Sequence, residues 1–146
     1  MKSTHPFQVT APIESVYNNV LSAERWLSFG IPGYRGLESG DPNWPNEGST
    51  IIVRFGLGPW MARFRVTVVE HERGRRFLTH EEALSGLYID DAGLTFQEED
   101  GTTTITLIRD QSSRSILVRI LLLLLYPVRW VTARRIKGRI KAMVEP

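Results

Sequence analysis

The chain contains no cysteine, which excludes disulfide staples and thiolate chemistry and fits a reducing compartment. Histidine is scarce. His5, His71 and His80 stand far apart, and no His-x-x-x-His or Glu-x-x-His spacing occurs, so no metal site is expected. Gly56-Leu57-Gly58-Pro59 lacks the Lys-Ser/Thr and the following helix of a phosphate loop, and it reads as a hairpin turn. There is no Gly-x-Ser-x-Gly nucleophile elbow. The longest apolar run, Leu121 to Leu125 with its upstream neighbours, is too short to cross a bilayer and includes Arg119. Met1 to Pro6 lack the apolar stretch of a signal peptide, so a cytoplasmic location is expected. Nothing calls for a cofactor.

At 146 residues the chain is long enough for one domain, 1–146, with a proper core. The overall charge of +2 hides an asymmetry. Residues 1–108 carry nine Lys/Arg against fourteen Asp/Glu, and residues 109–146 carry nine against two. A net −5 therefore precedes a net +7. The basic end suits a solvated helix face near a C-terminus, or an anionic membrane surface. With no DNA- or RNA-binding motif, nucleic acid is not an expected partner.

Hydrophobic spacing sets the expected elements. A period-two run, His5 to Thr10, meets Pro12, after which Ile13, Val16, Tyr17, Val20 and Leu21 recur at helical spacing. Residues 22–29 read as a second short helix ended by Gly30 and Pro32. Strands are expected over 34–39, 49–55, 61–71, 76–84, 87–98 and 102–110, with Asp100-Gly101 as a hairpin turn. A last helix starts near residues 112–115, and Pro127 should kink or split it. Leu117, Leu121, Leu124 and Val128 form one stripe to lay on the sheet, and Ala133, Ile136, Ile140 and Met143 continue the apolar face. Leu122, Leu123 and Tyr126 then point elsewhere and need cover: a cavity lid, a second subunit giving a homodimer, or peripheral membrane contact.

Phe7-x-Val9-x-Ala11-Pro12-Ile13-Glu14-x-Val16-Tyr17, then Trp26-Leu27, Val66-Thr67-Val68-Val69-Glu70, and Phe96 ahead of Asp100-Gly101-Thr102-Thr103 resemble the START-like, helix-grip superfamily of polyketide cyclases and pollen-allergen-type ligand carriers. The resemblance covers nearly the whole chain and rests on fold positions, with no catalytic signature among them. It implies an α+β fold: a curved seven-stranded antiparallel sheet wrapped around a long C-terminal helix, with two short helices after the first strand. It also implies an internal cavity for a lipid, polyketide or aromatic ligand, and in a minority of members cyclase or dehydratase chemistry.

Strand alternation nominates the lining. If Ile51, Val53 and Phe55 face inward, so do Phe64, Val66 and Val68, and Trp60 shares their parity. Leu94 and Phe96 inward put Tyr88 and Asp90 inward, and Ile105 and Leu107 do the same for Arg109. Asp90, Arg109 and His80 are the candidate acid, base or polarising groups. Trp26, Tyr34, Phe55, Trp60, Phe64, Tyr88, Asp90, Phe96, Arg109 and Leu124 are the candidate ligand contacts. The competing reading of Tyr88, Asp90 and Arg109 is a salt bridge at the barrel rim, and of the aromatics, plain core. His80 and Glu82 share one face of their strand and Glu81 takes the other. Trp44, between two prolines, either gates the cavity mouth or packs on the surface.

Overall fold

The computed structural model describes residues 1–26, 28 and 33–146. β1 (Lys2–Val9) leads to α1 (Ile13–Val20), followed by β2 (Tyr34–Ser39), β3 (Thr50–Leu57), β4 (Trp60–Glu72), β5 (Arg76–Ala83), β6 (Ile89–Glu99) and β7 (Thr102–Ser112). Two helices end the chain, α2 (Ile116–Leu124) and α3 (Tyr126–Val144). The strands form one antiparallel sheet in the order β1-β7-β6-β5-β4-β3-β2. Each consecutive pair from β2 to β7 is a hairpin, and β1 closes onto β7 with Phe7 opposite Ile105. Asp100 and Gly101 both have positive φ, 50° and 73°, the backbone that a two-residue Asp-Gly turn requires.

Pro12 precedes α1 in extended conformation, and Val16, Tyr17 and Val20 bury the helix's inner face. Of the expected second helix, described residues 22–26 form a turn closed by the Trp26 N–H on the Ser22 carbonyl, 2.8 Å. Its remaining positions, Leu27, Phe29, Gly30 and Pro32, lie outside the described residues. The core joins Val16, Val20, Ile51, Val53, Val66, Val68, Phe77, Leu94, Ile105 and Ile140. Along β4 the pairing jumps from Val68–Thr79 to Glu70–Leu78, so Val69 is an extra, exposed residue. Such a bulge sharpens the local twist and bends the strand.

The C-terminal region splits where Pro127 predicts. Proline lacks the N–H of a continuing helix and clashes with the preceding turn, and here it occupies the first turn of α3. The axes of α2 and α3 differ by 64°. Ile136, Ile140 and Val144 are buried, and α3 packs on α1 and β1, so the sheet grips the second half of α3. α2 departs from expectation. Its Ser115 cap accepts a hydrogen bond from the Val118 N–H, yet none of its residues is buried. Leu117, Leu121, Leu124 and Val128 are exposed, so the expected stripe on the sheet is corrected: the bend carries its residues off the core. Among the described residues, no single helix is long and apolar enough to cross a membrane.

Candidate functional site: a divided cavity beside a buried charge cluster

β5, β6 and β7 place a charge cluster on the concave face. Glu81 on β5 is directly opposite Asp90 on β6, which is opposite Gln111 on β7, and Arg109 follows two residues earlier along the same face. Asp90 is fully buried and Arg109 is 16 % exposed. The Arg109 guanidinium donates to Asp90 Oδ2 through Nε at 2.8 Å and also through Nη2. The Tyr88 hydroxyl donates to the same oxygen at 3.1 Å, and the Gln111 amide donates to the Tyr88 oxygen at 2.5 Å. Asp90 Oδ1 is buried without a hydrogen-bond partner.

Glu81 adds a second carboxylate. Burial first, and then the repulsion of Asp90, raise its pKa from 4.5 to about 8, against the opposing pull of Arg109 and of hydrogen bonds from Thr79 and Trp26. Thr79 Oγ1 lies 2.9 Å from Glu81 Oε1 and 3.2 Å from the Ala92 carbonyl. Glu81 is therefore a neutral acid near pH 7 that faces the interior. Burial disfavours the Arg109 charge, but the paired Asp90 carboxylate outweighs it and holds the guanidinium charged. Burial and Asp90 likewise push the Tyr88 hydroxyl up, so it stays protonated.

This cluster forms one wall of a cavity of about 510 Å³, lined by Phe55, Ala62, Phe64, Glu81, Tyr88, Arg109 and Gln111, with Thr132 reaching in from α3. Its volume is that of a small-molecule site, apolar with a few convergent polar groups. Phe64 is edge-on to both Phe55 and Tyr88, at 5.1 and 5.9 Å between ring centroids.

Tyr88 and Arg109 line the cavity as the strand alternation anticipates, and Asp90 stands behind them, contacting Arg109 without lining this cavity itself. Phe55 and Phe64 are lining residues too. Trp60 lies at the mouth, 79 % exposed, because it follows immediately on the β3–β4 turn. Four positions need correction. His80 faces outward and pairs with Asp91 at 2.6 Å, since Phe77, Thr79, Glu81 and Ala83 take the inner face. Leu124 is 73 % exposed on the diverted α2. Phe96 packs against Tyr17 near the opposite end of the sheet. Trp26 is core, edge-on to Phe77 at 4.9 Å. Tyr34 stacks its edge on Phe55 and donates to the Glu24 carbonyl, supporting the wall from behind. Trp44 packs on Phe77 and donates to the Leu21 carbonyl at 2.7 Å, which resolves it as a packing residue.

The polar lining residues missed by sequence reasoning are Glu81, Gln111 and Thr132. The alternation Phe77-x-Thr79-x-Glu81-x-Ala83 carried the first signal, and continuing Ile105-Leu107-Arg109 by one step gives Gln111.

No family model and no curated protein matches the chain. Solved structures do. Protein CV1439 of Chromobacterium violaceum superposes with a TM-score of 0.73 at 15 % identity, over 99 % of this chain and 97 % of that one. Ara h 8.0201 gives 0.70 at 10 % identity, over 97 % and 98 %. The di-domain ARO/CYC StfQ from the steffimycin biosynthetic pathway gives 0.73 at 14 % identity, with 99 % of this chain covering 50 % of that one. The chain thus has the START-like, helix-grip fold, shared by pollen-allergen-type proteins and polyketide cyclases. Identity at this level establishes fold and leaves function to the site itself.

Glu81 makes stability pH-dependent with a definite sign. Its folded pKa is raised, so the native state holds a proton that the unfolded chain releases between about pH 4.5 and 8. The contribution is fully present below that window and lost as pH rises through it, with a slope of at most ~1.4 kcal/mol per pH unit. Urea unfolding of Glu81→Gln between pH 5 and 8.5 should show a flatter decline than the native protein. Parallel curves would refute a protonated Glu81.

Proposed function

We propose that the protein binds an apolar small molecule (lipid, polyketide or aromatic) in the cavity between the sheet and α3. The observation that carries this reading is the 510 Å³ space itself, walled by Phe55, Phe64 and Tyr88 and ending at Arg109 and Gln111. Apolar contact supplies affinity at roughly 25 cal/mol per Å² before ordering costs, and the polar wall orients the ligand. The neutral fluorophore N-phenyl-1-naphthylamine should bind saturably with one site. Ala62, opposite Phe55 on the same face, offers a block: Ala62→Trp should weaken binding at least tenfold. Non-saturating fluorescence, or equal binding by Ala62→Trp, would sink the cavity assignment.

A second reading, cyclase- or dehydratase-like catalysis, is supported by Glu81, a protonated carboxyl lining the cavity next to a charged guanidinium. Such an acid can protonate a ligand carbonyl. It requires that Glu81→Gln retain fluorophore binding while losing turnover of a poly-β-ketone thioester by at least a hundredfold. Equal turnover would remove Glu81 from the chemistry.

We also propose that α2 rests on an anionic lipid surface. Ile116, Leu117, Ile120, Leu121, Leu123 and Leu124 are exposed together, with Arg119 among them, Arg114 before them and Arg134 and Arg135 after them in sequence. Apolar residues with flanking cations suit the headgroup boundary of an anionic bilayer. The protein should co-sediment with vesicles containing phosphatidylserine, and Leu121→Glu with Leu124→Glu should release it. No co-sedimentation, or a dimer in solution that the same changes dissolve, would assign the face to a second copy instead.

A further inference from the structure

The ligand cavity adjoins a second, smaller chamber of about 150 Å³ between β1, β7 and the helices. The two share Arg109, Gln111 and Thr132 as a common wall. The smaller chamber has a different character. Arg129, on the first half of α3, turns into it, and both terminal nitrogens of its guanidinium are shut off from solvent without a hydrogen-bond partner. The Tyr126 ring, 5.4 Å away, gives it a cation–π contact, which supplies no acceptor oxygen. Among the described residues, no carboxylate lines this chamber. Arg109, the neighbouring cation, is already neutralised by Asp90.

Arginine keeps its charge at any physiological pH. A buried, unpaired guanidinium is costly, and such groups are found paired or hydrogen-bonded. Arg129 is also out of place for a packing role: Ala133, Ile136 and Ile140 on the same face are apolar. Its planar fork matches a carboxylate, which accepts two parallel N–H bonds. Resting on the ligand-binding reading above, we propose that the ligand is amphipathic and anionic. Its carboxylate-type oxyanion sits in the smaller chamber on Arg129, and its apolar body lies in the larger one against Phe55 and Phe64. Thr132 and Gln111 stand where the two parts join. The divided cavity thus selects acids over neutral compounds of the same length.

The test is displacement of N-phenyl-1-naphthylamine at pH 7 by decanoate and by 1-decanol, which share a chain and differ in the head group. Decanoate should displace the fluorophore from the native protein at about tenfold lower concentration than decanol, the gain of one charge-assisted bond over a neutral one. Arg129→Gln should abolish that preference, with native-like circular dichroism showing that the variant is folded. Arg129→Lys should retain part of it. Equal displacement by the two compounds in the native protein, or an acid preference that survives Arg129→Gln, would overturn the anionic assignment and leave the apolar cavity standing. Failure of both compounds to displace the fluorophore would overturn the cavity reading and this inference together.

Discussion

Two carboxylates and one guanidinium inside an apolar shell constrain this structure more than any other contact. Asp90 has no solvent exposure and Arg109 little. Breaking such a pair by removing one partner costs about 3–5 kcal/mol, because it strands a buried charge. The exposed Arg73–Glu14 pair, by contrast, falls in the class that contributes about 0–1 kcal/mol. Tyr88, Gln111 and Arg109 all reach Asp90 from one face of adjacent strands. A slip of β6 by one residue would put Asp91 there in place of Asp90, separating Asp90 from Arg109 and Asp91 from His80. The register of the central hairpin and the satisfaction of the charge cluster are one requirement.

That requirement also accounts for the open space. A sheet face carrying Glu81, Tyr88, Arg109 and Gln111 offers little apolar surface for a helix to cover. The second half of α3 packs tightly through Ile136 and Ile140, where the sheet below supplies Phe7, Val9 and Ile105. Toward the charge cluster the helix presents Thr132 and Arg129, and the layers part into two chambers. Pro127 then bends the chain by 64° and α2 leaves the core.

The fold was readable because its signals are local. Pro12 after a period-two run, Asp100-Gly101 between alternating strands and the Ile136–Ile140 spacing each specify an element without reference to the rest. The site was readable where alternation continued unbroken, which placed Tyr88, Asp90 and Arg109 on one face. It was lost where a long-range event intervened. Leu124 lay beyond a bend whose angle depends on packing. Glu81 was overlooked for a different reason. A carboxyl on an inward position contradicts the usual burial rule, and it is tolerable because it keeps its proton, bonds to Thr79 and lies near Arg109, 28 residues away along the chain. Such conflicts between local preference and position are expected where function resides.

A crystal structure of the protein grown with decanoate tests the central claim most directly. Electron density for the chain should fill the space between Phe55, Phe64 and Tyr88, with the head group beyond Arg109 and Gln111. A cavity closed by side chains, with decanoate lying only along α2, would contradict an internal ligand site.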